Sequence, residues 1–380
     1  MMMSNFAVVI IGLLSLLVKY KFNSTLIFSS LILLAFFIFY YLLSEAGFGH
    51  SDPEVYIMFL RLLIYFFSAF FIARLFRSNG LDWSDLLKAV VLSTTVNSAF
   101  VIVFFSSSEL ALIASLILDY DSQLNWIETG HRIFDISIGG GASASFTFSF
   151  VFFISLFLFL KEKNYFYVFQ SLVIFLAIVL MGRTGLYFSA VFIMIFLFLC
   201  TIKESNSLVF IRKFVPVLVV FLFILAPIIF YSGVGEVVKD SQNFAWLTQG
   251  FFSGEVNHTA RAIGSMWSFP DDELGLLFGE LNLGRNENLP YVKSDIGYVR
   301  LVYGYGLITT SVMVFGFLFF LTYLHTKNSS VVSALAILLY VAILLMNFKE
   351  LHLASRGTFL VLFMLVSASI LLDKGQRRDT

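Results

Sequence analysis

The chain has 380 residues, of which 59% are hydrophobic and 13% charged, with 24 basic and 24 acidic side chains and a formal net charge of +0. Ordinary soluble domains are about half apolar and about a quarter charged. That excess of apolar surface, with a mean hydropathy of +0.92, excludes a soluble globular domain and predicts an all-α polytopic membrane protein. The balanced charge leaves no basic face, so nucleic acid is excluded as a partner.

The single cysteine, Cys200, rules out an intrachain disulfide and a thiolate metal site. The five histidines, His50, His131, His258, His325 and His352, stand singly, without the i, i+4 pairing of a helical metal site. No metal and no cofactor is expected. The opening MMMSNFAVVIIGLLSLLVKYK lacks the charged head and small-residue cleavage site of a secretory signal and reads as a retained first span.

A hydrocarbon core about 30 Å thick takes about 20 apolar residues per helix. On that measure spans are predicted near 5–18, 25–43, 57–76, 86–105, 144–160, 165–181, 185–201, 214–232, 300–323, 331–347 and 356–372, eleven in all. The stretch 106–125 is apolar only in its middle and is expected to lie at the interface or re-enter. Lysine and arginine in short loops mark the cytoplasmic side. They place KYK, ARLFR, KEKN, HTK and the C-terminal KGQRRDT inside, which faces two long segments outward, about 106–143 and 233–299, within a single membrane domain over 1–380. Most of the acids fall on that outer side, so any chemistry is expected there.

Four arginines reach the outer face at the foot of a span: Arg132 in GHRIFDISIGGGASASF, Arg183 in LMGRTGLYFS, Arg261 in NHTARAIGSMW and Arg356 in NFKELHLASRGTF. A charge near hydrocarbon costs several kcal/mol unless something anionic meets it, and the guanidinium fork fits phosphate and diphosphate. Pairing with a nearby acid or a lipid headgroup is the plainer reading, notably for Arg356 near Glu350. Arg183 sits in a two- or three-residue turn, where the next helix N-terminus adds its own attraction for anions. The small-residue run 139–145 reads either as a flexible loop or as a helix-packing segment.

His131 and His258 adjoin or neighbour outer arginines, whereas His325 is cytoplasmic by topology. Asp295, at the start of the span 300–323, reads equally as a helix cap or as a general base at the membrane surface. Trp126, Trp246 and Trp267 lie in outer loops, where a ring could stack on a sugar.

These residues, taken in order, resemble a family. Arg132 to Gly139 forms an RxxG-like element, MGRTG stands at the outer end of a hairpin, and the loop opens with RxxxxxW from Arg261 to Trp267. It continues through LLFGELNLG to SDIGYVRLVYGYGLI and two last spans. The pattern covers about 130–372 and resembles the superfamily of O-antigen ligases and polymerases, nearest to the Wzy-type polymerases.

The resemblance implies a GT-C-like fold and a metal-independent, inverting glycosyltransferase. Such an enzyme would move a growing glycan from undecaprenyl diphosphate to the non-reducing end of a new lipid-linked repeat unit, on the periplasmic face of a bacterial inner membrane. It implies diphosphate contacts at Arg183 and Arg261, with Arg132 and Arg356 as further candidates, and acceptor or sugar contacts at Trp267, Tyr298 and Arg300. Where the ligases carry a histidine this chain has Ser294-Asp295, which favours polymerase over ligase and nominates Asp295 as catalytic, with His258 as the substitute. The implied partners are undecaprenyl-diphosphate-linked oligosaccharide repeat units, membrane lipid, and a chain-length regulator and flippase of the same pathway. A ligase-type transferase and a flippase of lipid-linked oligosaccharide remain the alternative readings.

Overall fold

In the computed structural model, the described residues are 24–46, 52–107, 109–110, 141–203, 266–284, 292, 294–328, 330–353 and 355–372. Side chains are described throughout these except at 24–30, 44–46, 183, 199–203 and 356. All regular structure among them is helical: α1 (Ser24–Ala46), α2 (Glu54–Ser78), α3 (Trp83–Ser106), α4 (Gly141–Glu162), α5 (Phe166–Met181) and α6 (Arg183–Lys203), followed by a short α7 (Glu273–Phe278). Then come α8 (Gly297–Ser311), a π-helical turn (Val312–Gly316), α9 (Phe317–Asn328), α10 (Val331–Met346) and α11 (Arg356–Leu371). Among the described residues, four helices are long and apolar enough to cross a membrane, Glu54–Ser78, Trp83–Ser106, Gly141–Glu162 and the run Gly297–Asn328, and shorter apolar helices accompany them. The chain is a helical membrane protein. Of the eleven predicted spans, 5–18 and 214–232 lie outside the described residues, as does the interfacial stretch beyond residue 110.

The chain divides into two compact units, Met1–Leu86 with Val256–Thr380, and Leu87–Glu255. In the second unit α4 is the central helix, and α5 and α6 pack along it. Phe146 meets Phe188 at 4.7 Å and Phe153 meets Phe192 at 5.5 Å between ring centroids. Small residues set the α4–α6 approach. A Cβ on Gly185 would stand 2.6 Å from the Ser145 carbonyl oxygen and 2.7 Å from Ser145 Cβ, and the Gly185 amide donates to Ser145 Oγ at 3.2 Å. The stretch 141–145 is therefore the first turn of a packed helix, which resolves its two sequence readings in favour of packing. A single residue, Gly182, joins α5 to α6, so Arg183 stands at the first position of a helix.

In the first unit α2 and α11 run along each other, α1 lies on α2, and α10 packs on α9 and α11. Ser68, Ala69 and Ala73 of α2 and Ser367, Ala368 and Ser369 of α11 are buried. Small residues of this kind let helix backbones close up where lipid gives no hydrophobic drive between helices. At the α9–α10 turn Ser330 caps α10 by accepting from the Ser333 amide at 3.1 Å, and Asn328 Nδ2 donates to the Ser369 carbonyl at 2.9 Å.

The span expected as one continuous helix over 300–323 is interrupted twice. At Gly306 (φ 73, ψ 169) the chain leaves helical geometry, in a region of φ that glycine enters without strain. The Tyr303 carbonyl accepts from the Glu280 amide at 2.7 Å and the Asn282 amide at 3.4 Å, both from the segment after α7. A Cβ on Gly306 would collide with the Leu277 carbonyl. Deeper in the helix, Tyr340 Oη donates to the carbonyls of Met313 and Val314 at 3.1 and 3.0 Å, at the π turn. Lipid offers a backbone carbonyl no donor, so each interruption occurs where a neighbouring element supplies one.

Gly185→Val is expected to destabilise the second unit by about 1–3 kcal/mol, the usual cost of overpacking, read as a lower melting temperature in nanodiscs. Gly316→Ala, whose added Cβ would meet only Val312 Cγ1 at 3.9 Å, should melt close to wild type.

Candidate functional site

One end of the first unit carries 266–284, 294–296, 347–353 and 355. Four of the residues expected from sequence come together there: Trp267, Asp295, Tyr298 and Arg300. Asp295 does not cap α8. The capping position is Ile296, which makes no side-chain cap, while Ser294 Oγ accepts from the Ile296 amide at 3.1 Å. The Asp295 carboxylate instead meets Arg300, with Nη2 to Oδ1 at 3.0 Å, and Arg300 Nε donates to the Ser294 carbonyl at 2.7 Å. The Arg300 side chain is 16% exposed and that of Asp295 65%. A pair this open contributes about 0–1 kcal/mol to stability, so its consequence is orientation: an accessible carboxylate held by one oxygen.

Tyr298 packs into the same corner. Its hydroxyl donates to the Leu344 carbonyl at 2.8 Å, and its ring meets Phe348 edge-on at 4.9 Å. Trp267 lies 6.2 Å from the same Phe348 and is 42% exposed. Trp267, Phe348 and Tyr298 thus form an aromatic wall on the turn after α10, beside the helix that carries Asp295 and Arg300. Beneath it Val292, Ile296 and Val299 form a small core, with Met266 and Tyr303 against it.

The sequence reading did not single out Asn347, which fixes this corner. Its side chain is fully buried. Oδ1 accepts from the amides of His352 and Leu353 at 3.0 and 3.3 Å, and Nδ2 donates to the Ile343 carbonyl at 2.9 Å. The Asn347 carbonyl accepts from the Tyr298 amide at 3.3 Å. Gly297 makes the approach possible, because a Cβ there would stand 2.5 Å from Asn347 Oδ1 and 2.7 Å from the Glu350 carbonyl oxygen. The signal in the sequence was a lone amide ending an apolar run, followed by an aromatic: ILLMNF.

Two carboxyl and imidazole groups here are perturbed. Burial, and then Asp272 and Asp271, raise the pKa of Glu280. Burial lowers that of His352 to about 4, with Lys349 adding to the effect and a backbone hydrogen bond at Glu350 opposing it.

Arg61, which the sequence placed within a span, pairs with Glu54 at 3.2 Å along α2. Arg356 opens α11 at the same end of the first unit, and Arg183 opens α6 in the second. Arg132, His258 and Arg261 lie outside the described residues, as do His131, Trp126 and Trp246. No group of three or more His, Cys, Asp or Glu side chains that could hold a metal occurs among the described residues.

No protein-family model matches the sequence, and neither the curated proteins nor the solved structures include a match.

His352 sets a pH dependence. Its folded pKa lies below the ordinary histidine value of about 6.5, so between about 6.5 and 4 the unfolded chain binds the proton and the folded chain does not. Stability is then full above about pH 6.5 and falls by about 1.4 kcal/mol per unit as pH drops toward 4. Melting curves across that range should show this slope, and it should flatten in His352→Asn. Asn347→Ala is expected to cost about 1–3 kcal/mol by leaving buried amides unpaired, read in the same melting assay at pH 7.5.

Proposed function

We propose that this protein is a surface-polysaccharide polymerase of the O-antigen type. In this reading the chain crosses a bacterial inner membrane eleven times in a GT-C-like fold, its C-terminus is cytoplasmic, and the corner built by Trp267, Asp295, Tyr298 and Arg300 faces the periplasm. The carrying observation is the convergence of an accessible, arginine-held carboxylate and an aromatic wall at one end of an apolar helical unit. A carboxylate can take a proton from a sugar hydroxyl, and tryptophan and phenylalanine faces suit a sugar ring. The order of the loose elements from Arg132 to Gly306 supports the same reading independently.

The reaction is a single displacement. The acceptor hydroxyl of an incoming lipid-linked repeat unit attacks the anomeric carbon of the growing glycan. The new C–O bond forms as the bond from that carbon to the undecaprenyl diphosphate oxygen breaks, with inversion. The diphosphate leaves with the bonding electron pair, and arginines neutralise its charge, Arg183 and Arg261 being the ones proposed, with Arg132 and Arg356 as further candidates. Electrostatic stabilisation of this kind is commonly the largest catalytic contribution. The hydroxyl proton passes to Asp295, or to His258 in its place. Arg300 holds Asp295 in orientation, and Trp267 with Phe348 offers the acceptor a stacking face.

Purified protein in nanodiscs, given one synthetic lipid-diphosphate repeat unit, should produce a ladder of products on a gel without added metal or nucleotide. Asp295→Asn should slow the ladder by about 100-fold or more, the scale of one general base, and Arg183→Ala and Arg261→Ala, shown to be folded and inserted, should abolish long polymer. Long polymer from both arginine variants would sink the proposal. Transport of the repeat unit across a liposome bilayer without any ladder would replace it with the flippase reading.

A further inference from the structure

The short helix α7 sits on the first unit with one face uncovered. Leu274, Leu277 and Phe278 follow the i, i+3, i+4 spacing that puts side chains on one side of a helix, and they are 70, 38 and 55% exposed. A helix of 6 residues is too short to persist in water by itself, so α7 exists by its attachments. Asp272 caps it, accepting from the Gly275 amide at 2.7 Å. At its far end a Cβ on Gly279 would stand 2.6 Å from the Gly306 nitrogen, and the Glu280 amide donates to the Tyr303 carbonyl at 2.7 Å. The Leu281 carbonyl accepts from the Asp52 amide at 2.9 Å, just before α2 begins. These contacts hold α7 where two apolar runs start, α2 and the chain beyond Gly306.

We propose that the apolar face of α7 is a membrane-contact surface, seated in bilayer lipid at the boundary between headgroups and acyl chains. The proposal does not depend on the transferase reading, and two observations carry it. The face continues a lipid-facing stripe. Ile308, Val312, Phe315 and Phe319 are exposed at spacings of three and four along the run Gly297–Asn328, which is long and apolar enough to cross a membrane. The backbone of Leu277 and Phe278 meets Gly306 immediately before that stripe. Polarity is also sorted along the segment: Asp271, Asp272 and Glu273 are exposed at its start, and the leucines and phenylalanine follow. A bilayer surface offers water to the first group and hydrocarbon to the second. Acids repel anionic headgroups, so the attraction is apolar and phosphatidylcholine suffices. The consequence for the neighbouring corner is positional. Arg300 precedes Gly306 by about 9 Å of helix at about 1.5 Å per residue, so the Asp295–Arg300 pair is held close to the lipid surface.

Single cysteines test this in a Cys200→Ser protein: Leu274→Cys, Phe278→Cys, Asp271→Cys and Phe315→Cys, each labelled with bimane in phosphatidylcholine nanodiscs. Labels at 274 and 278 should be quenched about twofold or more by a lipid with a shallow doxyl group and little by aqueous iodide. The label at 271 should show the reverse, and that at 315 should respond most to a deep doxyl group. Each variant is first shown to melt like wild type. Leu274→Cys decides where Phe278→Cys does not fold, because the Leu274 side chain is the most exposed of the three.

Iodide quenching at 274 and 278 would leave the face in water, and shielding from both quenchers would mean that protein, such as a second copy of the chain, covers it. Either result overturns the proposal. So does doxyl quenching that appears only when phosphatidylglycerol is added, because the contact would then be electrostatic.

Discussion

The first unit depends on Tyr305. Its side chain is fully buried, its hydroxyl donates to the Val55 carbonyl at 2.6 Å, and its own carbonyl accepts from Tyr40 Oη at 3.0 Å. Its ring lies 5.0 Å from that of Tyr40 and 5.2 Å from that of Phe59, both edge-on. One residue therefore ties α1, α2 and α8 together immediately before the break at Gly306. The break needs this support, because an interrupted helix in an apolar surround exposes carbonyls that have no other donor. Tyr40 supplies one donor, and the Glu280 amide supplies another to Tyr303. The segment around α7 is held on α8 by the same need, through Gly279 and Gly306, where the backbones meet too closely for a side chain.

The π turn repeats the logic further along the helix. A π turn leaves carbonyls without ladder partners, and such turns are frequent at functional sites. Here Tyr340 reaches across from α10 to donate to the carbonyls of Met313 and Val314, the second of which also accepts from the Phe317 amide, while the Phe317 ring at the end of the turn stands 4.9 Å from that of Tyr340. The two interruptions let one apolar run serve two purposes: its first turns hold Asp295 and Arg300 against the Asn347 turn, and its later turns pack on α10.

Much of this was legible in sequence. Apolar runs separated by short charged loops located the helices from α1 to α6 and from α8 to α11, because a helix in lipid has to be long and apolar whatever it packs against. The clustering of Trp267, Asp295, Tyr298 and Arg300 was legible in part, since three of them lie within two helical turns. Their individual geometry was not. Asp295 faces Arg300 rather than the helix amides, and Tyr298 turns its hydroxyl to Leu344, choices made by partners close in space and invisible to spacing.

The sequence by itself determined that the chain is a helical membrane protein without a cysteine metal site or disulfide, since composition and the length of apolar runs are read by the solvent and not by neighbouring residues. Only the tertiary structure decided where the long helix breaks, which glycines are contacts and which are open, and that Asn347 is the anchor of the corner. Each of those depends on a hydrogen-bond partner or a van der Waals neighbour far away in the chain: Asn347 for Gly297, Leu277 for Gly306, Tyr340 for the π turn.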